Sequence, residues 1–331
     1  MKIINAVKIL LINVVTFIVL AFALNWLCGV YLKKSATGKT RDQLPNYADN
    51  ADYARDIFYD YKRVQHQYEP FVGWKTLPYK GKTLNIGNDG YRHHKSSDNN
   101  TRRTVAFFGG STMWGEGSDD AHTIPALYNA RQPGDHVLNM GQLAYNSRQE
   151  LDALITLYSK NINPEVVVFY DGVNDAAFLC PTEINDLPAH RLVPLFRSKL
   201  YISRSAFIKE VVFKGFVENT LKVINKVAGR ETNNSALYNC AGKEKAAQIA
   251  DIMMKNWEMA HDLVSKRGGK FYALLQPAAF IGTPRTDHLQ LDAALGESFD
   301  AVYQSIQQKI KEKQYDWIVD VSGSFNGTDY I

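Results

Sequence analysis

Apolar residues follow two spacings along this chain, and each spacing predicts a different kind of element. Short runs of about five residues that are almost wholly apolar are typical of strands buried on both faces of a sheet. Such runs occur at 104–108, 136–140, 166–170, 271–275 and 317–321. Between them, apolar residues recur every three or four positions, which predicts helices at 147–160, 243–266 and 291–311.

The alternation of strands and helices predicts the fold class. Strands joined through helices form a parallel sheet with helices on both faces. We therefore expect an α/β protein with three layers, α/β/α, around a five-stranded parallel sheet of the flavodoxin-like kind. We also expect Ser147 to cap its helix with Glu150 closing a capping box, and Asp119 or Asp120 to cap the helix that Pro125 opens.

The first 34 residues predict a membrane anchor. Residues 9–32 are almost uninterruptedly apolar and long enough to cross a hydrocarbon core of about 30 Å. A cleaved signal peptide is the alternative, but no small-x-small cleavage site follows the run. Lys2 and Lys8 precede the run and Lys33, Lys34, Lys39 and Arg41 follow it, so the positive-inside rule taken literally would keep the main domain in the cytoplasm. Because a single N-terminal anchor before a large polar domain is typical of export, we expect a single-pass protein with an extracytoplasmic, periplasmic-side domain.

The rest of the chain divides into three predicted parts. Residues 35–50 are polar and predict a linker. Residues 51–103 predict a segment that wraps the main domain, with a helix at 51–68 followed by short strands and turns. Residues 104–331 predict the main domain, in which the insertion at about 176–240 has a helical middle (198–227) and forms a lid or subdomain.

Composition excludes some partners and leaves one question open. The net charge is only +4 over 331 residues, and the basic residues form no stripe with aromatics, so nucleic acid is not an expected partner. The eight histidines are dispersed, which predicts no metal site. Beyond the anchor, the chain has only Cys180 and Cys240, which either form one disulfide or remain two buried thiols.

Three short segments that carry reactive or hydrogen-bonding groups each follow a predicted strand. They are Gly109-Gly110-Ser111-Thr112, Asn139-Met140-Gly141-Gln142 and Asp171-Gly172-Val173-Asn174-Asp175. The carboxyl ends of parallel strands meet at one edge of a sheet, so Ser111, Gly141 and Asn174 are expected to converge. Together they offer a hydroxyl nucleophile and two donors for an oxyanion. The glycine spacing fits neither a P-loop nor a dinucleotide fingerprint, which disfavours a nucleotide or flavin binder.

In this order and on these elements, the three segments resemble the SGNH hydrolases, also called GDSL-type esterases. The resemblance covers about residues 104–321, and the aromatic stretch before it is similar to membrane-anchored members linked to bacterial surface polysaccharides. It implies that Ser111 attacks an ester carbonyl while the Ser111 N–H, the Gly141 N–H and the Asn174 amide hold the oxyanion. The implied substrate is an acylated, for example acetylated, cell-envelope carbohydrate or another small ester. Hydrolysis and acyl transfer both stay open, and no cofactor is implied.

The family's fourth block, Asp-x-x-His, supplies the general base, and here the sequence departs from the pattern. The literal match, Asp119 to His122, comes directly after the nucleophile, whereas Asp287 and His288 are adjacent and precede the last helix. We therefore expect the base beyond Ile331 and the chain to be cut short at its C-terminus. The alternative is a non-catalytic carbohydrate-binding or assembly protein, which would use aromatics near the site: Trp74, Tyr79, Trp114 and Tyr145.

Overall fold

The computed structural model describes residues 2–34, 40–93, 103–193, 215–228, 240, 242–289 and 291–330. These residues form two units. One unit comprises Met1–Lys39 and Leu192–Asn233, and the other comprises Thr40–Arg191 and Asn234–Ile331. The chain therefore leaves the larger unit inside the predicted insertion, contributes to the smaller unit, and returns.

The elements follow one another in the order the chain predicts. The helices are α1 (Lys2–Lys34), α2 (Ala51–Tyr61), α3 (Ser111–Trp114), α4 (Ile124–Arg131), α5 (Ser147–Ser159), α6 (Val173–Leu179), α7 (Gly215–Val227), α8 (Lys243–Ser265) and α9 (Ala293–Lys313). The strands are β1 (His66–Glu69), β2 (Gly73–Thr76), β3 (Tyr79–Lys80), β4 (Asn85–Ile86), β5 (Arg103–Gly109), β6 (Asp135–Asn139), β7 (Val166–Asp171), β8 (Lys270–Leu275) and β9 (Ile318–Asp320).

The large unit is built on a five-stranded parallel sheet in the order β6-β5-β7-β8-β9. This is the flavodoxin-like order, in which the first strand of the sheet lies between the second and the third. The predicted α/β fold class is confirmed, and each of the five predicted strands lies within two residues of its observed bounds. Two antiparallel pairs, β1–β2 and β3–β4, lie outside this sheet.

The core explains why the central strands read as apolar runs. Phe108, Phe169 and Phe271 come from β5, β7 and β8, and their rings are 5.2 and 5.1 Å apart from one strand to the next. All three side chains are buried. Since strands buried on both faces have no solvent side, they show no polar alternation.

Two predicted helix caps are wrong, each because another side chain makes the capping contact. Asn146, not Ser147, caps α5: its side chain accepts from the Gln149 N–H at 3.2 Å. Ser147 turns its hydroxyl to a carboxylate described below. Thr123, rather than Asp119 or Asp120, caps α4 by accepting from the Ala126 N–H.

The helix predicted at 51–68 ends at Tyr61, because the chain turns there and continues as β1 from His66. Within the insertion, α7 occupies Gly215–Val227, and the rest of the predicted helical middle, 198–214, lies outside the described residues. Cys180 and Cys240 form a disulfide with a Cα–Cα distance of 5.3 Å, which decides between the two alternatives left by the sequence.

The smaller of the two units contains α1 and α7. Residues 4–34 of α1 form one helix that is long and apolar enough to cross a membrane, a property that a signal sequence shares. Helix α7 packs against it, and the Asn219 N–H donates to Asn25 Oδ1 at 3.0 Å.

Candidate active site

The loops after β5 and β6 meet at the carboxyl edge of the sheet. The Gln142 N–H donates to the Gly109 carbonyl at 3.0 Å, and so the β6 loop lies beside the residue that ends β5. Gly141 then lies directly on helix α3, which begins with Ser111: a Cβ at Gly141 would come 2.5 Å from the Trp114 nitrogen. No side chain fits at this position, which explains the glycine.

Asn174 approaches the same helix from the other side. A Cβ at Gly110, the residue before Ser111, would lie 2.1 Å from Asn174 Nδ2. Asn174 is in the first turn of α6, directly after β7, and its Nδ2 donates to the Tyr145 carbonyl at 2.6 Å. The backbone that presents Ser111 therefore lies between Gly141 and Asn174, which come from the two strands flanking β5.

The three predicted oxyanion donors are occupied to different degrees. The Gly141 N–H donates to Asn139 Oδ1 at 3.0 Å, and one N–H of the Asn174 amide is used by Tyr145. Ser111 is the first residue of α3, so its own N–H has no acceptor within that helix. The second N–H of the Asn174 amide is a further donor. An oxyanion at this place would compete with Asn139 for the Gly141 N–H.

The described histidines make their hydrogen bonds away from Ser111. In the described parts of the chain, no histidine forms a hydrogen bond with the Ser111 hydroxyl. His122 pairs instead with Asp119, Nδ1 to Oδ1 at 2.6 Å, and the same nitrogen lies 3.3 Å from the Tyr53 hydroxyl. His288 faces the Tyr330 carbonyl, with its Nε2 at 2.9 Å.

Asp119 faces a separate cleft. A cavity of about 1000 Å³ lies beside α2, the β3–β4 hairpin and α4, and Tyr53, Asp119 and Asn129 are among the residues that line it. None of the three predicted site residues is in its lining. The Asp119–His122 pair thus has the geometry of an acid–histidine dyad, but its aspartate lines a cleft that Ser111 does not line.

The aromatic residues near the predicted site do not form an open platform. Trp74, Trp114 and Tyr145 are all buried, and the Trp74 indole donates to the Leu143 carbonyl at 2.9 Å. Tyr79 is half-buried and its hydroxyl donates to Asp60 at 2.9 Å. Rings placed in this way pack the loops that hold the site, and they do not offer a face on which a sugar ring could stack.

Three buried carboxyls lie beneath the Asn174 loop. Asp171 ends β7 and accepts from the Trp257 indole at 2.7 Å. Asp175 accepts from the Ser147 hydroxyl at 2.6 Å, and Asn256 donates to that hydroxyl at 3.0 Å. Among the described residues, the two carboxyl oxygens of Glu150 have no hydrogen-bond partner.

Burial shifts the protonation of this cluster. It raises the pKa of Asp171 to about 6 and, with the Asp171 charge beside it, that of Asp175 to about 7. Burial and then the Asp171 charge raise the pKa of Glu150 well above its usual range. Because like charges at close range and low dielectric cannot all ionise, the cluster holds protons at pH values where ordinary carboxyls have lost them.

Arg92 supports the turn that follows α3. Its side chain is 1% exposed, and its Nη atoms donate to the carbonyls of Gly115 and Ser118 at 2.6 Å while Nε donates to Asp120 at 2.8 Å. Arg92 is not predicted from the sequence, because an arginine beside polar and histidine residues has no distinctive pattern. The burial of Glu150 was predictable from its spacing. Glu150 lies three, four and seven residues before Ala153, Leu154 and Leu157, on the buried face of α5.

Within the part of the chain that the structure describes, no group of three or more His, Cys, Asp or Glu side chains could hold a metal ion. At the Ser111 edge, the described residues offer the Ser111 hydroxyl, a set of N–H donors and the buried carboxyls behind them. Such a set suits acyl transfer through a serine, provided that a base reaches the hydroxyl.

Comparisons with known proteins found distant structural similarities only. Neither a protein-family model nor a curated protein matches the chain. Among solved structures it is similar to LAE5, an alpha/beta hydrolase enzyme from the metagenome of Lake Arreo, Spain, at 16% identity, covering 69% of this chain and 80% of that one with a TM-score of 0.33.

It is similar also to a putative lipolytic protein of the G-D-S-L family from Desulfitobacterium hafniense DCB-2, at 13% identity over 66% of this chain and 77% of that one, TM-score 0.28. A third is a variant of an acetyl xylan esterase from Geobacillus stearothermophilus, at 13% identity over 69% of this chain and 80% of that one, TM-score 0.31. These similarities to ester hydrolases are distant.

Proposed function

We propose that this protein is a membrane-anchored serine esterase of the SGNH type, with Ser111 as nucleophile and the Ser111 N–H, Gly141 N–H and Asn174 amide as oxyanion donors. The observation that carries the proposal is the close packing of Gly141 and Asn174 on either side of the backbone that presents Ser111. The packing forms only because β5, β6 and β7 all end at this place. A serine that merely capped a short helix would need neither neighbour.

In the proposed reaction, the Ser111 oxygen adds to an ester carbonyl and a base takes the hydroxyl proton. The carbonyl oxygen becomes an oxyanion within reach of the N–H donors, and collapse of the intermediate releases the alcohol and leaves an acyl-serine. Water, or another hydroxyl, then removes the acyl group. The base stays a prediction: the resemblance implies an Asp-x-x-His block after the last strand of the sheet.

The proposed substrate is an acyl group, such as acetyl, on a cell-envelope carbohydrate. Two features support the envelope as the place of action. Helix α1 is apolar over the length of a bilayer, and we propose that it spans the membrane through residues 9–32. The Cys180–Cys240 disulfide favours an oxidising, extracytoplasmic compartment for residues 104–331, the proposed catalytic domain with its insertion at about 176–240.

The test is ester hydrolysis by the protein expressed from its whole gene and purified in detergent. We expect 4-nitrophenol release from its acetate ester, and loss of that activity to the background rate in Ser111→Ala. Ser118→Ala is the matched control, since it removes a hydroxyl from the same loop whose Oγ bonds only locally, to the Gly115 carbonyl. Equal rates for wild type and Ser111→Ala would refute the esterase proposal and favour a non-catalytic protein.

A further inference from the structure

Helix α7 has an exposed apolar stripe. Leu221, Ile224 and Ala228 are spaced three and four residues apart and so lie on one side of the helix. The side chains of Leu221 and Ile224 are 49% and 52% exposed. Glu218 and Lys222 lie on another side, where they form an ion pair at 2.8 Å. A helix with this division has one face suited to water and one that is not.

The covered side of α7 rests on α1. The Asn25 side chain, a polar group inside the apolar run of α1, accepts a hydrogen bond from the Asn219 N–H of α7. Four residues further on, a Cβ at Gly29 would lie 2.9 Å from Asn219 Nδ2, so the Asn219 side chain fits against α1 where α1 has no side chain. The Asn25 oxygen therefore has a hydrogen-bond donor from the protein, whereas without α7 it would face lipid.

The position of this contact along α1 indicates how deep in the bilayer α7 would lie. Lys8 and Lys33 flank the apolar run, and a hydrocarbon core of about 20 residues centred between them extends from about residue 11 to about residue 30. At about 1.5 Å per residue, Asn25 and Gly29 then lie about 8 Å and about 2 Å inside the boundary. Amphipathic helices that lie in a membrane surface bury their apolar face to a similar depth, about 5–10 Å.

We propose that α7 is an interfacial helix whose stripe of Leu221, Ile224 and Ala228 lies in the lipid bilayer around α1. The inference rests on the proposed anchor role of α1 but is independent of the esterase chemistry. Its occupant is lipid, because α7 packs on α1, and α1 itself exposes apolar side chains such as Phe22 and Leu24. Lys222 and Glu218 would point to the headgroups and water.

The test measures the depth of single positions in the full chain, reconstituted in phosphatidylcholine vesicles that contain a minority of phosphatidylglycerol. An NBD fluorophore is attached to Leu221→Cys or Ile224→Cys in a Cys28→Ser background, where Cys180 and Cys240 are protected as a disulfide. Lys222→Cys and Glu218→Cys are matched controls on the same helix. A lipid with a nitroxide near the top of its acyl chain serves as the quencher.

We expect blue-shifted emission and several-fold stronger quenching at positions 221 and 224 than at 218 and 222. Equal quenching at all four positions would overturn the proposal. A fifth sample, labelled at the native Cys28 of α1, separates the two hypotheses. Quenching at Cys28 with none at 221 and 224 refutes only the interfacial helix, whereas no quenching at Cys28 refutes the anchor and the interfacial helix together.

Discussion

Two stretches only a few residues apart contain the residue types of a serine hydrolase, and the fold uses them differently. Ser111 lies between residues from two neighbouring strands, and Gly110 and Gly141 have no room for a Cβ. Asp119 and His122 pair with each other across one turn, and Asp119 lines a separate cleft. A local motif needs only a turn to form, whereas a site at a sheet edge needs the register of three strands. The second arrangement is therefore the stronger sign of function.

Arg92 connects both stretches, and replacing it should have the largest effect on stability. Arg92→Met would remove the guanidinium that donates to the Gly115 and Ser118 carbonyls and pairs with Asp120, which would keep its hydrogen bonds from Asn85. Removal of one partner from a buried ion pair costs about 3–5 kcal/mol of the free energy of unfolding. Urea unfolding measures this loss.

The matched control is Arg55→Met, which breaks an exposed ion pair with Asp52 on α2. Exposed pairs contribute about 0–1 kcal/mol. If the two substitutions lower the free energy of unfolding by the same amount, Arg92 does not stabilise the turn after α3. The proposed structural link between the two stretches would then be wrong.

Asn174 and His122 give the most direct functional contrast. Asn174→Ala removes a proposed oxyanion donor and should lower kcat about 10²- to 10³-fold. It also removes the hydrogen bond to Tyr145, which should cost about 1 kcal/mol of stability. His122→Ala should leave the rate of ester hydrolysis unchanged, because its partners are Asp119 and Tyr53.

Steady-state kinetics of both variants at saturating ester distinguish the possibilities. A large loss of kcat in His122→Ala, with normal activity in Asn174→Ala, would reverse the comparison and make Asp119–His122 the catalytic pair.

The buried carboxyls beneath Asn174 predict a dependence of stability on pH. Because the folded chain keeps their protons to higher pH than the unfolded chain, it binds more protons between about pH 4 and about pH 7, and the free energy of unfolding falls as pH rises through this window. Glu150→Gln removes one of the three acids. It should weaken this dependence and raise stability at pH 8, because an amide at this buried position does not have to hold a proton there.

Urea unfolding at pH 4 and pH 8 tests this prediction. Glu297→Gln, on the exposed side of α9, is the control and should change neither value. The same loss of stability between the two pH values in wild type and Glu150→Gln would show that Glu150 takes no part in the effect.

The fold was predictable from the sequence to a large extent, for a physical reason. Strands such as 166–170, buried on both faces, must be apolar throughout, and their alternation with helices determines a parallel sheet. The convergence of Ser111, Gly141 and Asn174 follows from the same fact. The helix caps were less predictable, since Ser147 and Asn146 are both good caps and only the position of Asp175, far along the chain, selects between them.

The supporting contacts of the site were not predictable. Arg92 binds carbonyls 22 to 26 residues away, and no periodicity in the sequence reflects a bond to a backbone oxygen. The same holds for Asn139, whose side chain occupies the Gly141 N–H. Trp74 and Tyr145 were expected beside the site and lie close to its loops, but burial gives them a packing role that composition could not reveal.

The most direct test of the central claim is covalent labelling of the serine. The full-length protein is treated with a fluorophosphonate, which reacts with an activated serine hydroxyl, and the adduct is located by peptide mass spectrometry. We predict one adduct, on Ser111, that is absent in Ser111→Ala and retained in Ser118→Ala and His122→Ala. Labelling of another residue, or none at all while the folded protein hydrolyses esters, would contradict the assignment of Ser111 as the nucleophile.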